Sequence, residues 1–279
     1  MKETLTYLTQ IQPPRNYKNI DSLNKVARYI KERFNSFGLD THTQEFEVDG
    51  NIYKNIIATI NPQHTKRLII GGHYDVCDDT QGADDNASAI AGVLESARQL
   101  KMYEKNLNFR VDFIAFTLEE PPYFLSENMG SYVHAKSLKD NDVDVIGMIN
   151  YEMIGYFTDE PNSQDYPIEQ MKQIYPTTGN FIANVCDEKS TSFLKKLAFK
   201  SDDIDSYDIV LPDNIKGITA SDHLNYWKLG YDAVMITDTA YLRNKNYHTK
   251  GDTIETINFE KMRYVVDMVV DGVKRFKVL

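Results

Sequence analysis

Histidine and carboxylate side chains follow the apolar segments of this sequence, either directly or in the loops just after them. They come from five separate parts of the chain, and the candidate residues are His73, Asp84, Glu119, Glu120, Glu152 and His248. Imidazole nitrogens and carboxylate oxygens, without cysteine sulfur, suit a borderline divalent metal such as zinc, with manganese or cobalt as alternatives. The pattern therefore predicts a metal site that only folding can assemble.

The charges of these candidates favour two metal ions over one. Asp84, Glu120 and Glu152 contribute three negative charges, and a bridging hydroxide contributes one more. Two divalent cations neutralise that total, whereas one ion would leave surplus negative charge in a cleft, which is energetically costly.

Alternating strand-like and helix-like segments indicate how these distant residues meet. Short apolar runs predict strands at 52–60, 67–72, 109–117, 145–151, 180–186, 207–211 and 231–237. Apolar residues at helical spacing predict helices at 20–38, 86–101, 190–200, 222–229 and 258–276. This alternation favours an α/β sheet covered by helices on both faces. Ligands bind beyond the carboxyl ends of the strands in such folds, which is where the candidates lie.

Composition and charge exclude several classes of protein. The chain has 279 residues, of which 42% are apolar and 26% charged, an ordinary globular composition. Its 41 acidic residues exceed its 31 basic residues by 10, which disfavours nucleic acid or an anionic membrane as the main partner. Two cysteines, Cys77 and Cys186, are too few for a disulfide framework and suit a reducing compartment.

No segment has the pattern of a targeting or membrane-spanning sequence. The first ten residues lack the apolar core of a secretory signal. The longest uninterrupted apolar runs contain about four residues, against about 18 for a membrane helix. We therefore expect a cytoplasmic protein, and the sequence indicates no oligomeric state.

Several short motifs resemble those of the M28 family of zinc exopeptidases over residues 70–255. They are His73-Tyr-Asp, Gly82-Ala-Asp-Asp-Asn-Ala-Ser, Glu119-Glu120, Asn150-Tyr-Glu-Met-Ile-Gly, Ser221-Asp-His and Tyr247-His-Thr. The resemblance implies one α/β domain, here residues 1–279. Its mixed, mainly parallel sheet would have about eight strands, with helices on both faces.

The same resemblance implies a role for each candidate. Asp84 would bridge two zinc ions, His73 and Glu152 would complete one shell, and Glu120 and His248 would complete the other. Glu119 would be the general base, and Asp75 would orient His73. The resemblance also implies a cis peptide bond between Asp84 and Asp85. From the residues themselves, we expect Asp85 or Asn86 to cap the following helix.

The adjacent glutamates are suited to different tasks. Side chains of extended neighbours point in opposite directions, and Pro121 keeps Glu120 out of the helical region. One carboxylate can therefore bind metal while the other faces a water molecule.

Two departures from the family pattern concern the substrate. Glu152 stands where many M28 aminopeptidases have Asp, and a longer loop beginning Pro121-Pro122 follows Glu120. The interpretation is a two-zinc aminopeptidase acting on a peptide or amino-acid-derived substrate. The alternatives are a one-zinc glutaminyl cyclase, a carboxypeptidase or other amide hydrolase, and a non-catalytic binding protein. Because no base is spaced to activate Cys77, a cysteine protease is disfavoured.

Overall fold

Seven α-helices and eight β-strands lie in the part of the chain that the structure describes. The computed structural model describes residues 1–215 and 217–278, so residue 279, the end of the predicted domain, lies outside it. The helices are α1 (Lys2–Thr9), α2 (Ile20–Ser36), α3 (Ala89–Tyr103), α4 (Gly130–Asp140), α5 (Thr191–Leu197), α6 (His223–Lys228) and α7 (Phe259–Arg275). The strands are β1 (Asp40–Val48), β2 (Asn51–Ile60), β3 (Arg67–His73), β4 (Arg110–Phe116), β5 (Val145–Glu152), β6 (Ile182–Cys186), β7 (Ser206–Val210) and β8 (Ala233–Thr237). Among these helices, none combines the length and apolar character needed to cross a bilayer.

The eight strands form one mixed sheet in the order β1-β2-β4-β3-β5-β8-β6-β7. The four central strands, β4, β3, β5 and β8, are adjacent and mutually parallel. An antiparallel β1-β2 pair adds to β4 at one edge, and the parallel pair of β6 and β7 adds antiparallel to β8 at the other. The predicted single α/β domain with a mixed sheet of about eight strands is confirmed.

Helices cover both faces of the sheet, as the sequence predicts. Successive side chains of a strand point to opposite faces. Leu68 and Ile70 of β3 therefore pack into the larger core, which includes residues of α2, α3 and α7. Ile69 packs into a second core with Ala135 of α4 and Tyr226 of α6. Burial on both faces explains why β3 has a continuous apolar sequence.

Three elements, α1, β1 and α4, were not predicted from the sequence. Most side chains of the edge strand β1 are partly or fully exposed, so this strand has no apolar run. The buried positions of α4 include Gly130, Ser131 and His134, which weaken its apolar periodicity. Helix α1 has only eight residues and buries Leu5 and Leu8. Each segment is therefore ordered mainly by its tertiary contacts.

Replacing Ile70 with Ala should destabilise the fold because it leaves a cavity in the centre of the sheet, where Ile70 is fully buried. The expected loss is about 2–5 kcal/mol in the free energy of unfolding. The same substitution at Ile52, which is 44% exposed, should change it by less than about 0.5 kcal/mol. Urea unfolding followed by circular dichroism measures both variants. Equal losses would show that stability is not concentrated in the sheet centre.

Candidate metal centre

The carboxyl ends of the central parallel strands bring the candidate residues together. His73 is the last residue of β3 and Glu152 is the last residue of β5. Glu119 and Glu120 follow β4, which pairs with β3 in parallel register. His248 comes from the loop after β8, the parallel neighbour of β5. Because these strands are adjacent and parallel, their ends lie at one edge of the sheet.

Asp85 lies between the two histidines. Its Oδ1 is 3.5 Å from His73 Nε2, and its Oδ2 is 3.1 Å from His248 Nε2. Asp85 is only 4% exposed, so the carboxylate is directed into the centre rather than to solvent. One oxygen thus faces each histidine, which is the arrangement expected of a carboxylate shared by two ions.

The first half of the centre is built around His73. Its Nε2 is 3.4 Å from Glu152 Oε2, which also accepts hydrogen bonds from Ser221 Oγ at 2.6 Å and Asn86 Nδ2 at 3.0 Å. On the opposite side of the ring, Nδ1 lies 3.3 Å from the Asp75 backbone oxygen and 3.5 Å from Asp75 Oδ1. The contacts of Asp75 are consistent with its expected role of orienting His73. The hydrogen bonds from Ser221 and Asn86 hold the Glu152 carboxylate in place.

The second half is built around His248. Its Nε2 is 3.2 Å from Glu120 Oε2, and its ring stacks on Tyr247 with 3.7 Å between the centroids. The side chain of His248 is 28% exposed, whereas Glu120 is 4% exposed. Glu119 Oε2, by contrast, lies 3.6 Å from His73 Nε2. The adjacent glutamates therefore reach different histidines.

Asp84, which the resemblance implies as the bridging ligand, lies outside this group of side chains. Its Oδ1 accepts a hydrogen bond from Gly155 N, and its Oδ2 accepts one from Asn244 Nδ2, both at 2.9 Å. The carboxylates of Asp84 and Asp85 point in different directions because Asp85 has non-helical backbone angles, φ −100° and ψ 89°, in the turn before α3. The structure thus places Asp85, rather than Asp84, between the histidines.

Two related expectations also shift along the chain. The cis peptide bond joins Asp85 to Asn86, one residue later than the resemblance implied. Helix α3 begins at Ala89, and neither Asp85 nor Asn86 caps it. Asn86 instead donates to Glu152 and accepts a hydrogen bond from Met153 N at 3.0 Å. The side chains that were expected to cap helix α3 therefore lie inside the site instead.

Two further carboxylates fix the backbone of the candidate ligands. Asp75 accepts hydrogen bonds from both backbone N–H groups of Glu119–Glu120, at 3.2 and 3.1 Å. Asp252 accepts from both backbone N–H groups of Asp84–Asp85, at 2.8 and 3.0 Å. Each ionised carboxylate has two acceptor oxygens and can therefore hold two successive amides. Sequence reasoning did not identify Asp252, although it follows His248 by four residues.

Arg15 is a second residue of the site that no motif in the sequence indicated. It is 2% exposed, and its guanidinium donates to the backbone oxygens of Tyr74 at 2.8 Å, Gln81 at 2.6 Å and Gly82 at 2.6 Å. These oxygens begin and end the loop between His73 and the Asp84–Asp85 turn. Arg15 therefore fastens the loop that sets the distance between two candidate ligands.

Burial perturbs the titration of the site. It raises the pKa of Glu119 well above its usual range, against the opposing effect of His73. Burial first, and the charge of Asp85 second, raise the pKa of Glu120 to about 8. Burial alone would lower the pKa of His248, but its contacts with Asp85 and Glu120 raise it to about 10. A divalent cation bound among these groups would compete with protons for the same atoms.

The donor atoms fit divalent metal ions. Within the described part of the chain, His73 Nε2 and Glu120 Oε1 are buried atoms without a hydrogen-bond partner. His73 Nε2 faces three carboxylates at 3.4–3.6 Å, and His73, Asp85 and Glu120 form a group that could hold a metal ion. A divalent cation bound between these donors would satisfy both atoms.

Comparison with known proteins identifies the family. The sequence model of peptidase family M28 matches residues 55–273. The chain belongs to peptidase family M28. This membership confirms the resemblance seen in the motifs and makes the chain a metal-dependent peptidase.

Two relatives of this M28 chain differ in coverage and in whether their names state an activity. The uncharacterized protein YfbL of Escherichia coli is 44% identical over 281 residues, covering 97% of this chain and 85% of YfbL. Leucine aminopeptidase 1 of Blastomyces gilchristii is 27% identical over 220 residues, covering 74% of this chain and 52% of the relative. The chain thus spans about half the length of the relative whose name states an activity.

Solved structures share the M28 fold at low sequence identity. The LapA aminopeptidase of Legionella pneumophila has a TM-score of 0.74 and 18% identity, covering 98% of this chain and 69% of LapA. A glutaminyl cyclase of Bacteroides thetaiotaomicron has a TM-score of 0.72 and 16% identity, covering 99% of this chain and 97% of the cyclase. Both enzyme types share this fold, so the residues of the site must decide between them.

Asp85→Asn and Asp84→Asn should separate the two neighbouring carboxylates. A neutral amide is a poorer metal ligand, so Asp85→Asn should reduce bound metal per chain, which elemental analysis of the purified variant measures. Asp84→Asn should keep metal near the wild-type amount, because Asp84 contacts Gly155 and Asn244 instead. Loss of metal in the Asp84 variant alone would restore the assignment made from the sequence.

Proposed function

We propose that this M28 peptidase is a two-metal aminopeptidase that removes apolar residues from peptides with a free N-terminus. The observation that carries the proposal is the position of Asp85, whose two oxygens face two separate histidines. Each histidine also has its own glutamate, at 3.4 Å for His73 and 3.2 Å for His248. Two complete sets of donors support two ions rather than one.

The proposed metals are two zinc ions, with cobalt or manganese as alternatives. His73 and Glu152 would hold one ion and Glu120 and His248 the other, with Asp85 shared between them. Bound there, the ions would polarise the scissile carbonyl and lower the pKa of the attacking water. This assignment keeps the predicted ligands except Asp84, which Asp85 replaces.

Glu119 is proposed as the general base. Its carboxylate lies beside His73 but faces no second histidine within the distance of an ion pair among the described residues. Its backbone N–H is held by Asp75, and burial raises its pKa, which favours a group that can both take and return a proton. Glu119 would accept a proton from the attacking water at a carboxylate oxygen and deliver it to the departing amine.

An apolar pocket continues from the site and supports a preference for apolar N-terminal residues. Glu152 and Tyr247 line both the metal cleft and the pocket. The pocket is lined further by Met171, Val185, Ile209, Ile218 and Met235. An apolar side chain that leaves water for such a pocket is stabilised by about 25 cal/mol per Å² of surface buried. The pocket would therefore hold the first side chain of the substrate.

The charge of the cleft supports an aminopeptidase over a carboxypeptidase. Asp85, Glu119, Glu120 and Glu152 line it, and no Lys or Arg is found among its lining in the described residues. Carboxylate oxygens in this lining can accept hydrogen bonds from a free amino terminus, whereas a terminal carboxylate finds no Lys or Arg to pair with. The second complete set of metal donors disfavours a one-zinc glutaminyl cyclase.

Peptides that differ only at the N-terminus test this function. Leu-first peptides should release free leucine, and Asp-first or N-acetylated versions should be cleaved at least about 10-fold more slowly, because they lose the apolar contact or the charged amine. Mass spectrometry of the products follows all three. Loss of ammonia from a Gln-first peptide, without release of an amino acid, would instead identify a glutaminyl cyclase.

The adjacent glutamates should respond differently to the same substitution. Glu119→Gln keeps the size of the side chain but cannot accept a proton, so turnover should fall about 10²- to 10⁴-fold while metal content stays near wild type. Glu120→Gln should lose metal together with activity. Turnover and metal per chain are measured on the same preparations. The opposite pattern of metal loss would reverse the two roles.

A further inference from the structure

The thiol of Cys77 lies beside the second half of the proposed metal centre. Cys77 is half-buried in the loop that leads from His73 to the Asp84–Asp85 turn. Cys77, Glu120 and His248 each offer one ligand atom, and these three atoms lie within 4.8 Å of one another. Sulfur, nitrogen and oxygen donors are thus close enough to share one ion.

The same group contains an unsatisfied carboxylate oxygen. Glu120 is 4% exposed, and its Oε1 has no hydrogen-bond partner among the described residues. Its other oxygen faces His248 Nε2 at 3.2 Å. A buried acceptor left without a donor is costly unless a cation lies against it. A cation bound by Glu120, in the group that includes Cys77, would satisfy this oxygen.

We propose that Cys77 is a ligand of the metal ion held by Glu120 and His248. The proposal rests on the two-metal function above and adds a residue to one half of it. Asp85 Oδ2 lies 3.1 Å from His248 Nε2, beside the same ring nitrogen. When the sulfur–metal bond forms, the thiol proton leaves to solvent.

The two halves of the centre then differ in their donors. The His73 half has Glu152 and Asp85 as its other protein ligands, which leaves a position for substrate. Cys77 would give the His248 half a sulfur donor, which the His73 half does not have among these ligands. Thiolate sulfur also favours zinc or cobalt over manganese and magnesium. The His248 half would hold its ion more tightly and more selectively than the other half.

Cobalt spectroscopy tests the proposal without reference to activity. Metal-free wild-type protein is loaded with two equivalents of Co²⁺, and bound cobalt is counted after removal of the excess. A thiolate ligand gives a sulfur-to-cobalt charge-transfer absorption in the near ultraviolet, which nitrogen and oxygen ligands do not give. We expect this absorption in the wild-type protein, and its absence with two cobalt ions bound overturns the proposal.

Matched variants assign the absorption to one cysteine. Cys77→Ser should abolish it and weaken binding of one of the two ions by at least about 10-fold, measured by competition with a chromophoric chelator. Cys186→Ala should leave both the absorption and the affinity unchanged, because Cys186 is buried in β6. Retention of the absorption in the folded Cys77→Ser variant also overturns the proposal.

The same experiment distinguishes an error in the proposed function from an error in the assignment of Cys77. Fewer than two cobalt ions per wild-type chain would contradict the two-metal assignment itself. Two bound ions, release of amino acids and no charge-transfer absorption would leave the aminopeptidase assignment intact and remove only Cys77 from the ligands.

Discussion

The site depends above all on how the charge of four buried carboxylates is neutralised. Asp85, Glu119, Glu120 and Glu152 are each at most 6% exposed and lie around two histidines. Burial raises the pKa of all three glutamates, since ionised groups out of water need a counter-charge. Protons can supply it in the metal-free protein, and divalent cations would supply it in the proposed enzyme. Metal binding and stability of this sheet edge are therefore linked.

A cluster of like charges must also be prevented from moving apart. Asp75 and Asp252 each hold two successive backbone amides, and Arg15 ties together the ends of the intervening loop. These groups act on the main chain rather than on the carboxylates themselves. The site is thus positioned by backbone hydrogen bonds that remain whether the side chains carry protons or metal.

In the proposed enzyme, most metal donors and most residues of the apolar pocket come from different strands of the sheet. The central parallel strands supply the charged residues at their carboxyl ends. The antiparallel addition of β6 to β8 brings Val185 and Met235 together, and both line the apolar pocket. In the proposed enzyme, a change at Val185 or Met235 would therefore alter the preferred side chain without altering the metal donors.

The sequence by itself determined the central strands, because the pattern of apolar residues within a strand is a local property. It also indicated the end of the sheet where the site lies, because the candidate residues follow these strands in the chain. It also selected His73, Glu119, Glu120, Glu152 and His248, which the structure brings together. Only the tertiary structure shows that Asp85, rather than Asp84, faces the histidines, since adjacent residues of one type differ by only one residue in their spacing to every other motif. Their directions depend on one turn and on partners such as Asp252, which is 167 residues from Asp85. The roles of Arg15 and the apolar pocket arose in the same way, from contacts between segments far apart in the chain.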